Sequence, residues 1–294
     1  EVFDLAADVV VTVQPDADLP QAVRWVGVRP TVVRTDDLWA QVRLQLDEML
    51  TSVDGTIGLV CPAGLVEQAR RLVDDPRIIR ESGSEAVRSI FDVHLLSDVV
   101  WEAVERSGAP ELARELLGSE VYVHQSRLNY KPGFAGGAFY WHSDFETWHA
   151  EDGMPTPRAI SVSIALTDNH TYNGPLMIMP GSHRHYVSCV GETPEDNYKS
   201  SLVMQGAGTP DQDVLTRMYE RHGIDVLTGA AGGATWFDSN CMHASNGNVT
   251  PAPRSNVFIV FTAADNQCGE PFAAPAPRPE FLGARREREI LTTR

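Results

Sequence analysis

VYVHQSRLNYK, residues 121–131, decides how this chain is read. Side chains alternate across a strand, so Gln125, Arg127, Asn129 and Lys131 share one face of it. Such a polar face is costly to bury unless it lines a wet or ligand-filled cavity; otherwise it meets solvent. The same period-two alternation recurs in AFYWHSDF (138–145), RAISVSIALTD (158–168), GPLMIMPGS (174–182), GATWFD (233–238) and NVFIVFTAA (256–264). Turns rich in Gly, Pro and Asn separate these segments. Most are joined by stretches with no helix long enough for a parallel crossover, so a mainly β, antiparallel sandwich or jelly roll is expected rather than a doubly wound sheet. In RAISVSIALTD, Ala159, Ser161, Ser163 and Ala165 form a small-residue face opposite Ile160, Val162, Ile164 and Leu166, which leaves room for a ligand.

Upstream the period changes. Leu38 to Leu50, Ala63 to Val73 and Pro110 to Leu117 carry helical apolar spacing, and these helices are expected outside the sheet. Cys189 to Gln212 is polar and aperiodic, a long loop of the kind that forms lids, running into a helix over Asp213 to His222. The Pro-rich and then charged C-terminal stretch, AAPAPRPEFLGARRERE, is expected to end as a surface tail.

With 294 residues, 43% of them hydrophobic, the chain can bury a sizeable core and suits a single domain. A formal charge of −16 repels phosphate backbones and anionic membranes, which leaves a small molecule as partner and admits a homodimer as the assembly. No apolar run reaches a membrane-spanning length, and EVFDLAADVVVTVQPDAD lacks the basic start and apolar stretch of a secretory signal, so a cytoplasmic location is expected. Cys61, Cys189, Cys241 and Cys268 are too widely spaced for a zinc cluster or a disulfide framework.

The chemistry concentrates in FYWHSDFETWH. His142 and Asp144, two apart on an expected strand, leave the same face and can chelate one metal. A lone His-x-Asp is weak evidence. His243 strengthens it as a third ligand at the end of GATWFDSNCMH, completing the two-His, one-carboxylate set that leaves positions open on a non-haem iron. Arg254 follows 11 residues later, at the start of another strand, where it can grip a carboxylate bidentately. His149, His183 and His185 lack this context and are expected to be structural.

FYWHSDFETWHAEDGMP, with VHQSRLNYKPGF before it and NGPLMIMPGSH, CVGETPEDNYKSSL and PRSNVF after it, resembles the ectoine hydroxylases, in the phytanoyl-CoA hydroxylase-like branch of the 2-oxoglutarate oxygenases. The resemblance runs from about Arg88 to about Pro279. It implies a cupin-like double-stranded β-helix over residues 88–279; residues 1–87, which depart from the family pattern, are expected to form an atypical helical or mixed part of the same single dioxygenase domain, and residues 280–294 a tail. It also implies iron(II) held by His142, Asp144 and His243, and 2-oxoglutarate bound by Arg254 with Asn129 and Lys131. Ectoine contacts fall on Gln125, Thr147, Trp148, Ser163, Phe261 and Arg278. The implied reaction uses O2 and 2-oxoglutarate to convert ectoine to 5-hydroxyectoine, a compatible solute, releasing succinate and CO2. The types suit a small ring bearing a carboxylate and an amidinium: Arg278 for the carboxylate, Gln125 and Thr147 for hydrogen bonds, Trp148 facing the cation. The alternatives are a hydroxylase of another zwitterionic imino acid and a non-catalytic sensor of iron and 2-oxoglutarate.

Overall fold

The computed structural model of the protein describes residues 10–13, 24–26 and 75–285, except 85, 97–99, 102–103, 106, 190–192, 194–196 and 203–207. The helices expected over 38–50 and 63–73 lie outside the described residues. The described residues build the expected antiparallel jelly roll from two facing sheets.

The larger sheet has the order β2-β1-β10-β7-β12-β5-β4-β3, and the smaller β6-β11-β8-β9. In chain order the strands are β1 (Val10–Val13), β2 (Arg24–Val26), β3 (Ile78–Arg80), β4 (Val87–Phe91), β5 (Val121–Lys131), β6 (Phe139–His142), β7 (Ala159–Ala165), β8 (Leu176–Ile178), β9 (Asp225–Leu227), β10 (Ala234–Asp238), β11 (His243–Ser245) and β12 (Arg254–Ala263). All strand pairs are antiparallel. The N-terminal part contributes strands to this same sheet, β1 pairing with β10 and β3 with β4.

Alternation along β5, β7 and β12 divides the larger sheet into two faces. Its outer face carries Val123, Leu128, Ile160, Val162, Val257, Ile259 and Phe261, which pack with the helix Ala109–Leu117. That helix starts with Pro at its first turn and ends on Gly118 in the left-handed region, φ 59°, where a side chain would be strained. The inner face meets the smaller sheet, with Phe237 and Phe258 packed on Leu176, Ile178 and Cys241. The polar face of β5 therefore points into the barrel. Gln125, Asn129 and Lys131 are buried and Arg127 is half-buried, so the solvent alternative does not hold.

Two local expectations change. β6 stops at His142, and Asp144 opens a short helix, Asp144–Thr147, instead of continuing the strand. Ser143 makes the switch: its backbone is extended and its Oγ accepts the Glu146 amide hydrogen at 3.2 Å, capping the helix. His142 and Asp144 thus converge from a strand end and a helix start, not from one strand face. The polar stretch 189–212 is pinned at several points rather than free: Cys189 N donates to Glu146 Oε1 (3.2 Å), Asn197 Nδ2 to Glu151 Oε1 (2.7 Å), and Arg88 Nε to Leu202 O (3.0 Å). The expected surface tail also folds inward at first, with Leu282 and Ala284 buried and Ala284 N bonded to His124 O.

Candidate metal centre

His142 and His243 are cross-strand partners on β6 and β11, their ring centroids 4.2 Å apart. Each ring is oriented from behind: Nδ1 meets the Tyr140 carbonyl at 2.7 Å in one case and the Cys241 carbonyl at 2.9 Å in the other. A carbonyl only accepts, so Nδ1 carries the proton and Nε2 is left with a lone pair. Asp144 completes the set, Oδ1 lying 3.7 Å from His142 Nε2 and Oδ2 3.9 Å from His243 Nε2. One donor atom from each residue lies within 4.8 Å of the others.

His243 Nε2 and Asp144 Oδ2 are buried without a hydrogen-bond partner. Orphaned polar atoms aimed at one another are costly unless something binds between them. Two imidazole nitrogens and one carboxylate, with no other His, Cys, Asp or Glu of the described residues joining them, fit iron(II) held on one face. Electrostatics keep the donors in their binding form. Burial, and then His243, pushes the His142 imidazole down to about 3; burial lowers His243 as well. Burial alone would raise the Asp144 carboxyl, but His243, Arg127, His142 and Arg278 outweigh it and leave it below its ordinary value. His149, His183 and His185 lie outside this group; His149, for instance, bonds the Met154 carbonyl and stacks on Phe272.

Buried neutral histidines make the metal-free protein acid-sensitive. His124, held down to about 4 by burial, and His142 resist protonation when folded, whereas in the unfolded chain they titrate near the ordinary value. A depressed folded pKa contributes stability that is complete above about 6.5 and is lost as pH falls toward the folded values. The Tm of the metal-free protein should therefore drop progressively below about pH 6.5. A Tm that stays flat through that range would place these imidazoles in water.

Lys131 on β5 and Arg254 on β12 are also cross-strand partners, and both are buried. Lys131 Nζ donates to the Gly137 and Asn246 carbonyls, while Arg254 Nε donates to Asn256 Oδ1 at 3.1 Å and Nη1 to the Gly174 carbonyl. Neither forms an ion pair with a described carboxylate. Burial, then the charge of Arg254, pushes the Lys131 ammonium down to about 6; burial and Arg127 push Arg254 down to about 10. A buried arginine beside a buried lysine that its surroundings push toward the neutral form suits an incoming anion, whose charge would favour the protonated lysine. Asn129 sits on the same face, its Oδ1 accepting from Ser89 Oγ at 2.9 Å.

The opposite end of the β5 face is reshaped by a bulge. Val260 pairs with Gln125 but Phe261 with Val123, so His124 is the extra residue. It lies 3.8 Å from Asp152, itself fully buried. Asp152 takes Arg278 bidentately, Nε to Oδ1 at 2.9 Å and Nη2 to Oδ2 at 2.5 Å, so Arg278 lies in the interior. This pairing leaves only Nη1 for a ligand; a bidentate grip on a second carboxylate is not available. Gln125 Nε2 bonds the Leu282 carbonyl at 2.5 Å, Trp148 is buried edge-on against His124, Ser163 Oγ accepts from Asn256 Nδ2 at 2.9 Å, and Thr147 is half-buried at its helix end.

Phe261 is a correction. It lies in the outer core, stacked with Trp236, on the face away from the metal. Phe258 holds the inward position, beside Phe237, whose ring lies 5.1 Å from that of His243. Counting alternation from Arg254 through Asn256 would have selected Phe258. Asp152 and His124 had no comparable signal, because one lies in a wide helical turn and the other at a bulge.

Comparison with known proteins agrees with this geometry. The family model described as phytanoyl-CoA dioxygenase (PhyH) matches residues 45–256. The ectoine dioxygenase of Streptomyces avermitilis is 57% identical over 224 residues, covering 74% of this chain and 76% of the relative. That of Sphingopyxis alaskensis is 50% identical over 244 residues, covering 83% and 80%. Among solved structures, EctD from S. alaskensis with 2-oxoglutarate and 5-hydroxyectoine superposes with a TM-score of 0.67 at 46% identity, covering 78% of this chain and 77% of that one. The form with bound Fe gives 0.68 at 40% identity, covering 91% and 82%.

Proposed function

The chain belongs to the ectoine dioxygenases of the phytanoyl-CoA dioxygenase family, and on that premise we propose that it hydroxylates ectoine to 5-hydroxyectoine with 2-oxoglutarate and O2. The observation that carries this reading is the pairing, in one barrel, of three converging metal donors with a separate buried Lys131–Arg254 pair that forms no ion pair with a described carboxylate. In this reading iron(II) is held by His142, Asp144 and His243. When bound, the metal couples O2 to the oxidative decarboxylation of 2-oxoglutarate, giving succinate and CO2, and passes one oxygen atom to the substrate.

The protein's own work is placement. Lys131, Arg254 and Asn129 receive the far carboxylate of 2-oxoglutarate, which sets the direction in which the 2-oxo acid enters. Arg278, held rigid by Asp152, offers Nη1 to the ectoine carboxylate; Gln125 shares the Leu282 carbonyl with it, Trp148 closes the wall, and Thr147 and Ser163 complete the substrate set, Ser163 from the side of Asn256. Phe237 and Phe258 keep the metal side apolar and exclude water. No described helix is long and apolar enough to cross a membrane. A cytoplasmic location, a small-molecule substrate and no nucleic-acid partner complete the reading, supported by the charge of −16.

The test is a mass gain of one oxygen on ectoine together with ectoine-dependent succinate release. Succinate without oxidised ectoine would point to another substrate, and neither product to a binder. Arg278→Ala is expected to weaken ectoine use by roughly one to two orders of magnitude, the worth of about 1.5–3 kcal/mol for a charged hydrogen bond. It also strands Asp152 without its cation, so Arg278→Lys should recover part of the loss. Matching ectoine saturation curves for wild type and Arg278→Ala would remove Arg278 from substrate recognition.

A further inference from the structure

Glu151 and Asp152, adjacent in the chain, bring two carboxylates to one guanidinium, that of Arg278. The wide helical turn Trp148–Asp152 carries both and ends on Gly153 at φ 75°, where a side chain would run into the Glu270 carbonyl. Asp152 takes Arg278 through Nε and Nη2. Glu151 Oε2 stops 3.9 Å from Arg278 Nε, near enough to be attracted but too far for a hydrogen bond. Its other oxygen, Oε1, accepts from Asn197 Nδ2 at 2.7 Å. Glu151 is therefore shared, with one oxygen toward the arginine and the other engaged by a side chain 46 positions away.

Burial gives this sharing a consequence. Glu151, Asp152, Arg278 and Asn197 are all buried, and burial pushes the Glu151 carboxyl above its ordinary range; Arg278 and then Asn197 oppose that shift, while Asp152 adds to it. A buried carboxylate deprived of one favourable partner is driven toward the other. Without Asn197 that other partner is Arg278, whose Nη1 is the nitrogen left over by Asp152 and the Leu282 carbonyl. Asn197 is itself placed by its own segment. One residue past the helix Asn197–Ser201, the Leu202 carbonyl accepts from Arg88 Nε at 3.0 Å, and Arg88 is locked in a buried ion pair with Glu81 at 3.0 Å. Upstream, Thr193 N donates to the Ala273 carbonyl at 3.0 Å. Resting on the reading of Arg278 as the residue that takes the ectoine carboxylate, we propose that Asn197 is a positioning residue for substrate recognition: it holds Glu151 off Arg278, so that Nη1 stays open to the substrate.

The test is calorimetric titration of ectoine onto zinc-loaded, 2-oxoglutarate-saturated protein, in which no turnover occurs. Asn197→Ala is expected to bind ectoine about 10-fold more weakly, within the range for a buried charged group stripped of a hydrogen bond, while zinc stoichiometry and 2-oxoglutarate affinity hold. The double variant Asn197→Ala/Glu151→Gln should return to within about threefold of wild type, because a neutral amide competes poorly for a guanidinium. Loosening of the segment alone would give no such rescue. Should the Ala variant fail to fold, Asn197→Ser, too short to reach Glu151, is expected to show the same loss and the same rescue. Unchanged ectoine affinity in the folded Asn197 variant overturns the proposal, and so does a double variant as weak as the single one. A loss in Glu151→Gln alone as large as that in Asn197→Ala also overturns it, since the carboxylate would then be serving the substrate. If wild-type protein takes up 2-oxoglutarate but no ectoine, it is the functional reading that fails, and the assignment of Asn197 falls with it.

Discussion

Asp144→Ala is expected to abolish hydroxylation and to bind iron(II) at well below one equivalent, with the fold intact. The three donors lie within 4.8 Å of one another and no other described His, Cys, Asp or Glu joins them, so no neighbour can substitute. Loss of an outer-shell partner of a metal ligand typically costs about 10- to 100-fold in affinity or activity, and loss of the ligand itself exceeds that. The fold should tolerate the change, because the Asp144 carboxylate has no hydrogen bond within the protein at Oδ2 and Ser143, not Asp144, caps the helix. His142→Ala and His243→Ala should behave alike. Truncating His243 removes the unsatisfied Nε2 but also the Nδ1 bond to the Cys241 carbonyl and the packing on Phe237, so the metal-free His243→Ala protein should melt below wild type while still folding. Metal content after reconstitution, read beside product formation, decides the matter: normal iron content with retained turnover in any of the three would break the assignment.

Arg254→Ala is the second large effect. The Michaelis constant for 2-oxoglutarate should rise about 10- to 100-fold, the equivalent of roughly 1.5–3 kcal/mol, while that for ectoine moves little. Arg254→Lys should not restore wild-type behaviour. The Nε bond to Asn256 and the Nη1 bond to the Gly174 carbonyl use the breadth of the guanidinium, and a second ammonium beside Lys131 would lose its proton more readily in this buried setting. Saturation curves for both ligands on the Ala variant give the answer. Equal shifts for 2-oxoglutarate and ectoine would mean that Arg254 supports the barrel mouth rather than a carboxylate.

Much of this was legible in the residues themselves. Alternation along VYVHQSRLNYK placed Gln125, Arg127, Asn129 and Lys131 on one face, and the length and order of the strand-like segments implied an antiparallel two-sheet body. His142, Asp144, His243 and Arg254 could be picked out because their chemistry is tied to spacing and to strand ends, which are local properties. Burial of the β5 face, by contrast, depended on the smaller sheet closing over it, and no local pattern states where another sheet will lie.

The remaining differences arise where the chain departs from a regular period. Ser143 ends a strand with one hydrogen bond, so Asp144 reaches the metal from a helix start. The bulge at His124 turns that residue toward Asp152, and strand parity, not residue type, separates Phe258 from Phe261. The segment around Arg278 is Pro-rich and follows the last strand, so its local pattern does not place the residue in the interior. Its place in the interior comes from Asp152, 126 positions earlier in the chain, together with the Leu282 carbonyl bonded to Gln125. The sequence by itself determined the strand pattern, the donor types and their rough order, because these rest on the covalent period of the backbone. Only the tertiary structure decided which polar groups are left without partners, since satisfaction of a buried charge depends on residues that meet solely through folding.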